Sequence, residues 1–174
     1  TEEQKRRFLP RCAAGEISGF ALTENDVGSD PARLSTTAEL SADGTHYVIN
    51  GMKLWCTNGT IAKLLVVMAR DPESMKISAF VVETDAPGVK VELRCHFMGL
   101  KALANAVLSF TQVKVPVENR IGGEGKGLKI GTVRFNTFEL TLYRALVKAG
   151  VGYSDYNIVW FNDTLALAAA FESK

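Results

Sequence analysis

Short segments with the composition of β-strands recur between residues 17 and 118, and turn-forming residues separate them. The clearest boundaries are Ala-Asp-Gly at 42–44, Asp-Pro at 71–72 and Asp-Ala-Pro-Gly at 85–88. Strands at this spacing, with turns between them, favour an antiparallel sandwich or barrel. Strands and helices do not alternate here, which argues against a doubly wound dinucleotide-binding fold. We therefore predict a mainly β protein, an antiparallel β-barrel or sandwich flanked by partial helical segments.

The predicted strands fill about half of this region. Gly51 marks a turn or bulge between two of them. The continuous apolar run at 64–69 is typical of a strand buried on both faces. The full set of predicted strands is 19–23, 35–41, 46–50, 52–55, 64–69, 77–83, 89–94 and 106–115.

The two ends of the chain have a helical character. The chain opens with Thr-Glu-Glu-Gln, which predicts a helix cap, and Pro10 is expected to end or interrupt that helix. A glycine-rich stretch after residue 119 leads into a helix predicted from Leu128 to about Gly150, and a further short helix is possible at 165–171. The predicted division is the end of an N-terminal helical domain at 1–16, a middle β-domain at 17–118, a connector and the first helix of a C-terminal domain at 119–150, and an unassigned tail at 151–174.

Composition excludes several classes of function. The formal net charge of the 174 residues is +1, so no electrostatic case exists for nucleic acid. The cysteines, Cys12, Cys56 and Cys95, are odd in number and widely spaced, which argues for a reducing compartment and against a disulfide framework or a zinc site. No apolar run has the length of a membrane span, and the N-terminus shows no signal-peptide pattern.

Two polar segments follow predicted strands and carry the residues of chemical interest. The first reads Phe-Ala-Leu-Thr-Glu-Asn-Asp-Val-Gly-Ser-Asp at 20–30, and the second reads Leu-Trp-Cys-Thr-Asn-Gly at 54–59. Thr23 and Thr57 place hydroxyl groups at strand ends, and Trp55 offers a flat aromatic wall. A Thr or Trp at such a position is also an ordinary β-former, so the pair of segments matters more than either alone.

Together these segments resemble the two flavin-contacting strand ends in the middle domain of the acyl-CoA dehydrogenases. That family usually has Ala-Leu-Thr-Glu-Pro, two small or acidic residues and Gly-Ser-Asp, and later Trp-Ile-Thr-Asn-Gly. Here Asn25 replaces the proline and Cys56 replaces the aliphatic residue. The resemblance extends over about residues 1–150. It implies FAD as cofactor and the α,β-dehydrogenation of an acyl-CoA thioester.

Carried over position by position, the resemblance also implies roles for single residues. Leu22 and Thr23 would meet the pyrimidine edge of the flavin, Trp55 would lie beside the ring, and Thr57 would bond near N5. Ser29 would lie near the cofactor phosphates and the acyl-CoA entrance, and would thus contact the substrate too. The complete implied cofactor-binding set is Phe20, Leu22, Thr23, Gly28, Ser29, Trp55, Cys56 and Thr57.

The family reaction needs a carboxylate base. In most members that glutamate lies in the C-terminal helical domain, and in a minority it lies on the helix after the glycine-rich loop. Glu139 lies one residue from this second position, a rotation of about 100° on a helix. We therefore predict that Glu139 is a solvated helix residue, leave the catalytic residue unassigned, and expect a fragment or divergent copy that is inactive alone.

The resemblance also implies partners. These are the acyl-CoA substrate, electron-transfer flavoprotein as acceptor, and a homodimeric or homotetrameric parent enzyme in the bacterial cytoplasm or the mitochondrial matrix. Two alternatives stay open. One is a non-catalytic β-module that binds a ligand or a protein, and the other is a flavin oxidase or nitroalkane-oxidase-like relative with a different electron acceptor.

Overall fold

A computed structural model describes residues 1–28 and 31–123, together with the backbone of two strands at 130–133 and 158–161. The chain divides into two compact units, Thr1–Gly125 and Lys126–Lys174. The first unit contains one α-helix, α1 (Glu2–Ala13), and two short 3₁₀ turns, Pro31–Arg33 and Val117–Asn119. Its strands are β1 (Ser18–Ala21), β2 (Thr37–Leu40), β3 (His46–Cys56), β4 (Leu64–Arg70), β5 (Ile77–Glu83), β6 (Val89–Arg94), β7 (Ala106–Pro116) and β8 (Arg120–Ile121).

These eight strands form one sheet in the order β6-β7-β3-β2-β4-β5-β8, with β1 added beside β4. The prediction of a mainly β protein is confirmed. In detail the sheet differs from an antiparallel barrel, because within the described residues its strand path stays open and it is mixed. β1 runs parallel to β4, and β2 meets β4 in parallel at Thr37 and Arg70. Parallel neighbours need a long crossover, and the β2–β3 hairpin supplies it between β1 and β4.

The sheet curls around one apolar core. Strands from both ends of the path contribute to it, and the rings of Tyr47 on β3 and Phe80 on β5 lie 4.9 Å apart between centroids. β4 is buried on both faces, as its continuous apolar run predicts. On one face Leu65 and Val67 join the main core, while on the other Met68 packs into a smaller cluster with Val27, Leu34 and Ala79.

Helix α1 packs on the sheet through few apolar contacts. Its one buried residue, Phe8, packs against Leu64 and Val81. Pro10 does not end or interrupt the helix, so that expectation is wrong. Proline removes one helical hydrogen bond, but Pro10 is exposed, so water can satisfy the freed carbonyl. The turn beyond it is held by Arg11, whose guanidinium donates two hydrogen bonds of 2.6 and 2.9 Å to the Glu83 carboxylate.

Gly51 lies opposite a β-bulge whose extra residue is on β7, because two steps along β3 from Ile49 to Gly51 face three steps along β7 from Val113 to Phe110. β3 is a single continuous strand, and its pairing with β7 shifts register between Ile49 and Gly51. The φ angle of Gly51 is 151°, which favours glycine, and Thr36 approaches it closely. A Cβ at this position would lie 2.5 Å from Thr36 Oγ1 and 2.7 Å from Thr36 Cα.

Gly51→Ala is therefore expected to lower the free energy of unfolding by roughly 2–3 kcal/mol, through backbone strain and a clash with main-chain atoms. Urea unfolding followed by circular dichroism measures this. Gly44→Ala is the matched control, since Gly44 also has a positive φ of 69° but has open space where the Cβ would lie. It should cost about 1 kcal/mol. Equal losses in the two variants would show that the close approach of Thr36 is unimportant.

The second unit contains a two-stranded parallel sheet made of β9 (Ile130–Val133) and β10 (Ile158–Phe161). The helix predicted from Leu128 is thus wrong for residues 130–133. Three of these four residues are β-branched, which favours a strand. The rest of that predicted helix, and the one at 165–171, lie outside the described residues. β8 pairs with β5 and lies in the first unit.

Candidate functional site

The structure brings the two polar segments together where β1 and β3 end. The Leu54 amide of β3 donates a 2.8 Å hydrogen bond to the Thr23 carbonyl. The Cys56 thiol lies 3.6 Å from the Phe20 carbonyl and donates to it. The backbone segments 20–23 and 54–57 therefore lie side by side as one strip. We call this strip the strand-end site.

Trp55 is held on the outside of this site by a second bulge. The pairing of β3 with β7 shifts register between Lys53 and Cys56, and Trp55 has a φ of 49°. A left-handed backbone costs a residue other than glycine roughly 1–2 kcal/mol, and for a bulky side chain it is a true outlier. Trp55 is 61% exposed. Met75 and Leu100 share this backbone region and are also exposed, so what distinguishes Trp55 is a large exposed ring next to the two polar segments.

The first segment presents an aromatic and a hydroxyl residue at the same strip. Phe20 is exposed while its neighbours Gly19 and Ala21 are buried, so its ring faces away from the core. Leu22 and Thr23 are half-buried. All three thus have side-chain surface available at the strand-end site.

The loop beyond Thr23 is closed by paired main-chain hydrogen bonds. Glu24 and Val27 exchange bonds of 2.9 and 3.2 Å between their amides and carbonyls. Gly28 follows this bridge and is exposed, with open space beside its Cα. Ser29, predicted to contact both cofactor and substrate, lies outside the described residues.

Thr57 and its neighbours close the end of β3. Thr57 is exposed, and its Oγ1 accepts a 3.4 Å hydrogen bond from Asn105 Nδ2. Asn58 Nδ2 donates to the Ser18 carbonyl at 3.2 Å, which ties this turn back to β1. Asn105 is buried at the foot of β7, and sequence reasoning missed it because nothing in the strand pattern marks it.

Cys56 contributes to the site in a more limited way than its neighbours. Its side chain is buried in the main core. Burial raises the pKa of its thiol to about 11, so the group stays protonated near neutral pH. Only the main chain of Cys56 can contact a ligand at the strand-end site.

A buried ion pair lies directly behind the site, and sequence reasoning missed it. Lys53 Nζ lies 2.7 Å from Glu24 Oε1, and both side chains are almost fully buried. Burial raises the pKa of Glu24, but the hydrogen bonds from Lys53, Ser35 and Thr36 outweigh it and hold the pKa at about 2. Burial also lowers the pKa of Lys53, which the Glu24 carboxylate opposes.

Family membership follows from comparison with known proteins. The model of the acyl-CoA dehydrogenase middle domain matches residues 19–113, more than half of the chain, and both segments of the strand-end site lie inside this range. The chain belongs to the acyl-CoA dehydrogenase family. Its relatives include a Mycobacterium tuberculosis protein named probable acyl-CoA dehydrogenase FadE10, 58% identical over 146 residues.

Solved acyl-CoA dehydrogenase structures share the fold. The enzyme from Bacillus anthracis, solved with FAD, matches 84% of this chain with 37% identity and a TM-score of 0.70. Butyryl-CoA dehydrogenase from Megasphaera elsdenii matches 73% with 37% identity and a TM-score of 0.69. The mycobacterial match covers 82% of this chain but only 22% of that relative, and the chain spans 23% and 34% of the two solved chains.

Three further points concern the position of Glu139, metal ligation and membrane-spanning helices. Glu139 lies outside the described residues, so its prediction as a solvated helix residue stays a prediction. Across residues 1–28 and 31–123, no three His, Cys, Asp or Glu side chains gather as metal ligands. No helix among the described residues is long and apolar enough to cross a membrane.

The low pKa of Glu24 predicts that the free energy of unfolding decreases at acid pH. Its pKa is about 2 in the folded chain against an ordinary 4.5, so its contribution is complete above pH 4.5 and lost as pH falls to 2. That contribution is on the order of 3 kcal/mol. The measurement is urea unfolding at a series of pH values, for the natural chain and for Glu24→Gln/Lys53→Met. Asp43, whose hydrogen bonds to Ser41 and Thr45 lower its pKa to about 2, titrates in both proteins. The double variant should therefore lose less stability across this range, and parallel curves would contradict the assignment to Glu24.

Proposed function

We propose that this chain provides the FAD- and acyl-CoA-contacting surface of an acyl-CoA dehydrogenase that carries out FAD-dependent α,β-dehydrogenation of an acyl-CoA thioester. The observation that carries the proposal is the exposed, strained Trp55 beside Thr23 and Thr57. A large aromatic side chain held in solvent at a backbone cost is explained by a flat ligand that covers it.

The residues at the strand-end site fit a flavin. Trp55 supplies an aromatic wall, Phe20 a second exposed ring, and Thr23 and Thr57 supply hydroxyls for edge atoms. Cys56 and Leu22 add main-chain groups. When bound, FAD supplies the hydride acceptor, while these side chains bind and orient it. FAD is present in the solved Bacillus anthracis relative, which supports this cofactor.

The substrate side of the proposal depends on the loop after Thr23. Gly28 is exposed with open space around it, so main-chain atoms can approach a phosphate or a thioester. We assign to Ser29, the next residue, the contact with the cofactor phosphates and with the acyl-CoA.

The proposal extends to partners and compartment. Electron-transfer flavoprotein is the proposed acceptor, and a homodimer or homotetramer is the proposed assembly of the parent enzyme. Cys12, Cys56 and Cys95 are all free. Free cysteines suit a reducing compartment, in keeping with the proposed bacterial cytoplasm or mitochondrial matrix.

The 174-residue chain is expected to bind FAD weakly, because the strand-end site contacts one side of a large ligand. Binding should be saturable in equilibrium dialysis, yet FAD should not stay with the protein through gel filtration. Trp55→Ala should weaken binding about tenfold, which is the effect of losing about 1.4 kcal/mol of ring contact.

Leu40→Ala is the matched control for Trp55→Ala. Leu40 is also an exposed apolar residue, but it pairs with Tyr47 at the opposite end of β3. It should leave FAD affinity unchanged. An absence of saturable FAD binding by the natural chain would overturn the proposal and favour a non-catalytic β-module. Stoichiometric retention of FAD through gel filtration would contradict only the prediction that binding is weak, and would leave the proposed function standing.

A further inference from the structure

We propose that Lys53 and Glu24 are positioning residues for the flavin: their ion pair, almost fully buried, fixes the strand-end site from behind. This inference rests on the proposed function, since it concerns FAD affinity at the same site. It assigns a role to two residues behind the site, in addition to those on its surface.

Hydrogen bonds attach Leu22 and Thr23 to β3. Lys53 Nζ donates to the Leu22 carbonyl at 3.2 Å and to Glu24 Oε1 at 2.7 Å. The next residue, Leu54, donates its amide to the Thr23 carbonyl at 2.8 Å. Two consecutive residues of β3 therefore hold the consecutive residues 22–24 of the first segment.

The Glu24 carboxylate is also hydrogen-bonded to Ser35 and Thr36. Glu24 Oε2 accepts from the Ser35 amide at 2.7 Å and from Ser35 Oγ at 2.5 Å. Glu24 Oε1 accepts from the Thr36 amide at 3.0 Å. The carboxylate thus joins the first segment to the chain entering β2 as well as to β3, so residues 22–24 are fixed from both sides.

The Lys53–Glu24 pair lies beside the strained bulge at Trp55. The bulge that exposes Trp55 begins immediately after Lys53, where the register with β7 shifts. Lys53 is fully buried and Trp55 is mostly exposed, so the chain reverses its facing within two residues. An ammonium held by Glu24 and by the Leu22 carbonyl anchors the inner end of this bulge. Release of that anchor lets the strained φ of Trp55 relax and moves the indole.

The cost of the pair also favours a positioning role. Burying two charges costs free energy that their mutual attraction does not always recover, and apolar replacements of similar volume are often neutral or stabilising. A pair kept only for stability is therefore a poor use of two core positions. A pair that fixes two strand ends to one geometry has a reason to be ionic, because its hydrogen bonds are directional.

The test uses Glu24→Gln/Lys53→Met in the 174-residue chain, since removing both charges avoids leaving one buried alone. We expect FAD affinity in equilibrium dialysis to fall about tenfold or more while the protein stays folded by circular dichroism. Lys53→Arg alone, which keeps a cation and N–H donors at this position, should retain more of the affinity than the double variant does. The matched control is Glu92→Gln/Lys90→Met, which removes an exposed pair of 2.8 Å on β6 and should leave the affinity unchanged.

A second measurement reads the geometry without any flavin. Hydrogen exchange at the Leu54 amide, which bonds to Thr23, should speed up about tenfold in the double variant under conditions where the protein is folded. Unchanged exchange overturns the inference, and so does faster exchange with unchanged FAD affinity. No saturable FAD binding by the natural chain overturns the proposed function itself. That result is distinct, because it appears before any substitution is made.

Discussion

Lys53→Met alone is expected to lower the free energy of unfolding by about 3–5 kcal/mol, because it leaves the Glu24 carboxylate buried without its counter-charge. Glu24 is only 4% exposed, so water cannot replace the lost ammonium. The Leu22 carbonyl loses its donor at the same time. Urea unfolding at neutral pH, followed by circular dichroism, measures the loss.

Two further variants separate this effect from a general effect of removing lysine. Lys90→Met removes an ammonium that is 70% exposed and paired with Glu92, and should change stability by less than about 0.5 kcal/mol. Glu24→Gln/Lys53→Met should recover more than half of the loss, since no unpaired charge remains. A loss in Lys53→Met as small as that in Lys90→Met would show that Glu24 is solvated or protonated in the folded chain.

The strands of this fold follow from local chemistry. The predicted segments 77–83 and 89–94 match β5 and β6 residue for residue, because Asp71-Pro72 and the turn at 85–88 limit them. The double burial of β4 was also predictable from its apolar run. Local chemistry does not determine which strands pair with each other. That β1 runs parallel to β4 depends on contacts across more than forty residues, which a pattern of alternation does not contain.

Bulges are the second feature that sequence alone could not locate fully. Gly51 marks an irregularity because glycine interrupts an alternating strand, but the extra residue lies opposite it on β7. The bulge at Trp55 gave no such sign, since tryptophan in left-handed backbone contradicts its own preference. Local preference failed there at the residue that the proposed site depends on, as is expected where function sets the geometry.

The burial of Lys53, in the ion pair behind the site, was predictable from the alternation along β3. The core side of β3 takes every second residue, Tyr47 and Ile49, and the same parity reaches Lys53. A lysine at a core position of a strand requires a buried carboxylate, and Glu24 is the acid that contacts it. Parity alone predicts the burial of Lys53, whereas the identity of its partner depends on the tertiary fold.

The 174-residue chain with excess FAD is expected to show no measurable oxidation of acyl-CoA thioesters. The proposed reaction needs a carboxylate that reaches the α-carbon of the substrate. Glu24 is the carboxylate bonded into the strand-end site, and it cannot serve, since it is buried, paired with Lys53 and held at a pKa of about 2. A base displaced by even about 1 Å can cost a hundredfold in rate, and a base turned into the core costs more.

The measurement is dye-linked oxidation of a panel of acyl-CoA thioesters at neutral pH, with Glu139→Gln as the matched variant. Glu139 is the carboxylate one residue from the alternative base position, and the substitution removes its basicity with little change in size. Turnover by the natural chain that disappears in Glu139→Gln would overturn the prediction of Glu139 as a solvated residue and identify it as the base. Turnover that persists in Glu139→Gln would instead require another carboxylate of this chain to reach the substrate.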